Sequence, residues 1–154
     1  MKKIWTSEMS MNLKLRCFQS CVEAIYLYGC ESWTPTKSFL RKIDGGYTRM
    51  LRIPLSLSWR LKVKNEDLYK DIPRVTDKIK ARRLQLAGHL HRMRTYNSQP
   101  ACDLLLWQPR ASLKRGMGRK KTILKSILED SGSASANELA NRMDDKHAWK
   151  EIAH

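Results

Sequence analysis

The sequence predicts an all-α protein, and three observations carry that prediction. Apolar residues recur at three- and four-residue spacings over most of the chain. Residues suited to helix starts and stops punctuate these runs. Strand-type alternation is confined to residues 55–63. The expected architecture is one helical domain over residues 1–154, of about six to eight helices, with a basic glycine-containing loop.

The first helix is expected from Ser10 to Gly29. Met11, Leu15, Phe18, Val22, Ile25 and Gly29 form one stripe, and Leu13, Cys17, Cys21, Ala24 and Leu27 leave the opposite flank apolar. A helix apolar on most sides is a buried one. A second helix opens at Thr36, an N-cap after Pro35, with Phe39, Leu40, Ile43, Tyr47, Met50 and Leu51 as its core face. Gly45-Gly46 disfavours the helix by about 1 kcal/mol per glycine, so a bend or break is expected there. Pro54 ends this helix. Asn65 is expected to cap a short helix whose first turn holds Glu66 and Asp67, and Pro73 closes it.

The organising element is the helix from Arg74 to Arg94. Val75, Ile79, Leu86, Leu90 and Met93 make an apolar stripe, while Ala81, Leu84, Ala87 and Gly88 leave the back small enough for close approach of another backbone. Arg83 falls inside the apolar stripe, where it must reach the edge or pair with a buried carboxylate. Ser98 is expected to cap a short helix through Trp107, with Pro100 in its first turn. A helix from Thr122 to Asp130 stops at Gly132. Ser135 to Glu138 forms a capping-box pattern that opens a helix to Met143. A last helix, from Asp144 to Ile152, is anchored by Trp149 and Ile152, with Asp144 and Asp145 as capping residues. These elements group as helices in 1–53, central helices in 65–107, a basic loop in 110–121 and terminal helices in 122–154.

Thirty Lys and Arg against fifteen Asp and Glu leave a net charge of +15. No fold needs that imbalance, and its self-repulsion opposes compaction, so a polyanionic partner is expected. RNA or DNA, held through its phosphates, fits better than a membrane surface. A second stripe on the 74–94 helix, Lys78, Arg82, Gln85, His89 and Arg92, is rich in donors and contains no acid. Between Arg110 and Lys125 lie seven basic residues, Arg110, Lys114, Arg115, Arg119, Lys120, Lys121 and Lys125, with Gly116 and Gly118 among them. Glycines let a backbone approach a phosphate, and the helix start that follows adds its N–H groups. The pattern suits a clamp on phosphate backbone that positions a strand without reading bases.

Catalytic and metal chemistry find little support. The spacings of nucleophile elbows, zinc proteases and dinucleotide loops are missing, and the acids are too scattered for a two-metal site. Cys17 and Cys21 are four apart, a poor match to zinc spacings, and Cys30 and Cys102 have no near partners. The four cysteines are expected to be free thiols in a reducing compartment, with neither metal nor cofactor. Trp33, Trp59, Trp107 and Trp149 are expected to pack in the core or at helix ends rather than to stack bases. No run is long and apolar enough for a membrane span, and the N-terminus lacks a secretory apolar segment.

Several stretches in order resemble a known family. LKLRCFQSCVEAI at 13–25 followed by YLYGCESWTPT at 26–36 is similar to the LLYG-x-E-x-W-T-x-T signature of non-LTR retrotransposon reverse transcriptases. RMLRI at 49–53, Trp59 and NEDLY at 65–69 continue the likeness. KIKARRLQLAGHLHRM at 78–93 resembles the family's I-x-x-R-R-L-x-x-A/L-G-H-x-x-R-M block. LLLWQP at 104–109, RGMGRKKT at 115–122 and HAWKEI at 147–152 complete it, over about residues 5 to 153. Lys120 stands where the family has the proline of R-G-R-P, and Pro35 where leucine is more typical.

The resemblance implies a helical thumb, residues 1–53, and a C-terminal extension that grip template and growing duplex. The family's catalytic aspartates belong to an upstream palm motif of the Y-A-D-D type, which this chain lacks. The expected function is therefore that of a catalytically incomplete C-terminal fragment of an RNA-directed DNA polymerase, intracellular in nucleus or cytoplasm, with the polymerase palm as a further partner. The alternative is a free-standing nucleic-acid-binding module co-opted from such an element.

Overall fold

The computed structural model describes residues 2–69, 72–94, 100–107 and 122–153. Among them the chain is all-helical: nine helices and no strand, counting the continuous run 11–26 once. The 55–63 stretch forms turns and a 3₁₀ segment, Trp59–Leu61, instead of the alternating strand pattern. The chain divides into two compact units: Met1–Gly29 with Pro35–Lys78, and Cys30–Thr34 with Ile79–His154.

In the first unit, α1 (Lys2–Trp5) precedes α2 (Met11–Cys17), which passes through a π-helical stretch, Phe18–Glu23, into α3 (Ala24–Tyr26). The buried residues along this run are Lys14, Phe18, Glu23 and Leu27, a four-five-four spacing. In an α-helix five residues turn about 140° beyond a full turn, so Phe18 and Glu23 would diverge. The wider π turn brings them onto one side. The expectation that this helix is buried on most sides is not met. Met11 and Leu13 are exposed, as are Ile25 at 76% and Tyr28 at 84%.

α4 (Lys37–Leu51) starts at Thr36, whose hydroxyl accepts from the Phe39 N–H at 3.3 Å. It runs through Gly45-Gly46 without a break, because Ile43, Tyr47, Thr48 and Leu51 bury one face on either side of the pair. Phe39 is exposed, not core. At Gly46 the missing Cβ leaves room for Tyr26, whose hydroxyl donates to the Ile43 carbonyl at 2.9 Å. Lys64, not Asn65, occupies the N-cap position of α5 (Asn65–Leu68), and it makes no side-chain capping bond. The Asn65 side-chain oxygen accepts from Arg52 instead, at 3.0 Å.

α6 (Val75–Arg94) matches the expected organising helix; its start counts with the first unit and Ile79 onward with the second. Its buried residues are Val75, Ile79, Arg83, Leu84, Ala87 and Gly88. Leu86, Leu90 and Met93 are only half-buried, so the core face is rotated toward the small residues. Leu84 and Ala87 join Leu105, Leu124, Ile127, Leu139, Met143, Trp149 and Ala153 in the core of the second unit. The reason is Trp149. Gly88 has no Cβ, so the indole lies against the helix backbone and donates to the Leu84 carbonyl at 2.8 Å. Close approach at the small face was expected, but from a backbone; it is an aromatic side chain.

The remaining helices are α7 (Pro100–Leu105), α8 (Ile123–Ser131), α9 (Ala136–Asp144) and α10 (Lys146–Ile152). Thr122 caps α8 and Gly132, at φ +67°, ends it in the left-handed conformation that glycine tolerates. Ser135 accepts from Glu138 N–H at 3.2 Å, while the Glu138 carboxylate accepts from the Ala134 N–H, one residue before the usual capping-box partner. Asp145 caps α10. Trp149 anchors α10 in the core, whereas Ile152 lies outside it at 37% exposure. Ser98 lies outside the described residues.

Candidate nucleic-acid interface

Each cation expected to contact nucleic acid has a definite place, except those of the basic loop. Arg110, Lys114, Arg115, Arg119, Lys120 and Lys121 lie outside the described residues; Lys125 is exposed on α8.

Lys78 is engaged inside the first unit. Its ammonium donates to the Glu23 carboxylate at 2.6 Å and to the Tyr47 hydroxyl at 3.2 Å, and Tyr47 donates to the same Glu23 oxygen at 2.5 Å. This is the group the π turn serves, because it delivers Glu23 inward to meet both donors. Burial, then the hydrogen bond and charge of Glu23, push the Tyr47 phenol far above its ordinary range.

In the second unit, Arg82, Gln85, Leu86 and His89 line an open cleft of about 530 Å³ with Glu31. Gln85 and His89 are exposed; Arg82 is half-buried and hydrogen-bonds Cys30. Burial, and next the Glu31 charge, raise the Cys30 thiol against the pull of Arg82 and Arg83. This keeps the thiol protonated and unreactive. Arg92 does not line the cleft. Its guanidinium donates to the Met143 carbonyl at 3.0 Å, near the end of α9, and the neighbouring His91 meets Asp144 at 2.9 Å. Of the five-residue stripe, the structure brings together Arg82, Gln85 and His89.

Arg83 takes the second of its two expected fates. It is 5% exposed and its guanidinium meets Asp130 at 2.5 Å. Burial raises the Asp130 carboxyl, against the lowering effect of Arg83.

No family model, curated protein or solved structure matches this chain. A further basic surface lies on α4. Lys37, Arg41, Lys42 and Arg49 are all exposed there, and the helix's single acid, Asp44, is half-buried beside Arg74 at 3.8 Å. Lys37, Arg41, Gly45 and Arg49 follow one i+4 ridge of exposed positions. The signal was present in the spacing, but it is dispersed among apolar residues that draw attention to the opposite face.

Among the described residues, no group of three or more His, Cys, Asp or Glu could hold a metal ion. None of the described helices is long and apolar enough to cross a membrane. Cys17, Cys21 and Cys30 are free thiols. Trp149 is core, Trp33 half-buried and Trp107 exposed at 55%.

Proposed function

We propose that this chain is a helical nucleic-acid-binding module equivalent to the thumb and C-terminal extension of a non-LTR retrotransposon reverse transcriptase. It holds the phosphate backbone of RNA or DNA and does not polymerise. The observation that carries the binding half is the α4 surface, four exposed cations with no exposed acid, in a chain of net charge +15. Such a surface lowers its self-repulsion by taking up a polyanion. The polymerase-tail half rests on the ordered sequence blocks. The exposed Met11, Leu13, Ile25 and Tyr28 support it, since a fragment would leave uncovered the apolar groups that met its polymerase core.

Fluorescence anisotropy with a labelled single-stranded RNA and a labelled duplex tests the reading. Affinity should fall steeply between about 50 and 200 mM salt, as counterion release requires. Replacing Gln85 and His89 with Ala should weaken binding, and replacing Arg41 and Lys42 should also flatten the salt slope. Salt-independent binding, or none at all, would overturn the proposal. Strong selectivity for one sequence would favour the co-opted module over the polymerase fragment.

A further inference from the structure

The first unit contains a second concave surface with a different charge character. An open pocket of about 450 Å³ is lined by Arg49, Arg52, Ile53, Leu57, Lys62 and Val63. Three cations converge there on an apolar floor, and no acid lines it. The α6 cleft, by contrast, contains Glu31.

Two features show how the chain assembles this pocket. Arg52 donates through one nitrogen to the Val63 carbonyl at 2.7 Å and to the Asn65 side-chain oxygen at 3.0 Å, tying the returning loop to the end of α4. Lys62 holds a left-handed backbone, φ 46°, which lysine adopts rarely and glycine readily. The fold therefore bears backbone strain at the residue that brings a third positive charge beside two guanidinia. The dipole at the C-terminus of α4 accounts for cations at Arg49 and Arg52, but not for Lys62, which comes from the loop. A bound anion offsets the mutual repulsion, and an apolar floor strengthens its attraction by lowering the local dielectric.

We propose that Arg49, Arg52 and Lys62 form a binding site for a phosphate group, and that its occupant is a phosphate of a nucleic-acid strand. The choice of occupant rests on the nucleic-acid reading above. It follows from Arg49, which both lines the pocket and ends the Lys37, Arg41, Gly45, Arg49 ridge. That ridge runs about 18 Å along α4 at the α-helical rise, so a strand following it leads into the pocket.

The pocket is tested first without nucleic acid. Inorganic pyrophosphate is titrated into the protein at constant ionic strength while the backbone and arginine side-chain N–H resonances of residues 49–63 are followed. Saturable shifts that disappear in Arg49→Ala/Lys62→Gly are expected. The glycine relieves the left-handed strain while removing the charge, and Arg52, which holds the loop, is left in place. Shifts that grow without saturation, or that match those of chloride, would overturn the site, whether or not wild-type protein binds RNA. In the second arm the same variant is titrated with single-stranded RNA across a salt series. The log–log salt slope should fall by about 0.7, the share of one phosphate on a single strand. An unchanged slope and affinity, beside normal wild-type RNA binding, would overturn the strand as occupant. Failure of the wild type to bind RNA would instead sink the nucleic-acid reading, leaving the pyrophosphate arm to judge the pocket.

Discussion

Two glycines show how much a single missing carbon can decide. A helix carbonyl has a second lone pair after its intrahelical bond, but side chains three and four residues on usually cover it. Gly46 uncovers the Ile43 carbonyl for the Tyr26 hydroxyl, and Gly88 uncovers the Leu84 carbonyl for the Trp149 indole. Gly45 has nothing within 4 Å of where a Cβ would stand. Gly88→Ala should therefore destabilise by about 1–3 kcal/mol through overpacking against the indole. Gly45→Ala should stabilise by up to about 1 kcal/mol, its helix-propensity gain. Urea denaturation of both variants checks this, and equal effects would refute the socket description. The Gly45-Gly46 pair reads in the sequence as a weak point in a helix. Its second member is a contact site, which propensity alone does not reveal.

At the scale of the element, the π turn of the 11–26 helix accommodates one extra residue. Buried Lys14, Phe18, Glu23 and Leu27 need one five-residue step among four-residue steps. Removing one exposed residue inside the turn would convert that step to four and restore α-helical phase. Deletion of Ser20 should therefore fold with helicity retained and Glu23 still bonded to Tyr47 and Lys78. Deleting Lys42, an exposed residue within regular α4, should instead throw the residues before it about 100° out of phase with Ile43 and Tyr47 and lower the melting temperature. Circular dichroism melts compare the two, and collapse of the Ser20 deletion would show that the π turn itself is needed. An α-helical stripe can be drawn through this segment from the sequence, but of its members Phe18 is buried while Met11 and Ile25 are exposed, and buried Leu27 falls on the other flank. Glu23 and Lys14 are charged and read as surface until their partners, Tyr47 with Lys78 and the Trp5 carbonyl, are seen. A buried ion pair of this kind is destabilising if only one partner is removed.

For the molecule as a whole, the charge of +15 has two consequences of opposite sign in salt. Added salt screens self-repulsion, with a Debye length of about 10 Å at 0.1 M. Thermal stability of the free protein should therefore rise over the salt range in which nucleic-acid affinity falls. Differential scanning calorimetry and anisotropy, run in the same buffers, check the pair of trends. Parallel loss of both with salt would show that ion pairs, such as Arg83 with Asp130, outweigh the net repulsion. The candidate interface was only partly legible. Helix periodicity puts Arg82, Gln85 and His89 on one side, and they do line one cleft; Lys78 and Arg92 share that periodicity but hydrogen-bond Glu23 and the Met143 carbonyl, and Arg82 itself bonds Cys30.

The sequence by itself determined the helical class, the caps at Thr36, Ser135 and Asp145, the stop at Gly132 and the excess of positive charge. Each is a local or additive property, set by a residue and its near neighbours or by composition. Only the tertiary structure decided which face of α6 is core, where the 11–26 helix takes its π turn, and which cations remain on the surface. Those outcomes depend on residues distant in the chain. Trp149 reaches Leu84 across 65 positions, Lys78 meets Glu23 across 55, and Arg52 ties down the loop that carries Lys62. Periodicity ranks the sides of the 74–94 helix by composition alone; a partner with an indole to bury chose the side with no Cβ in its way.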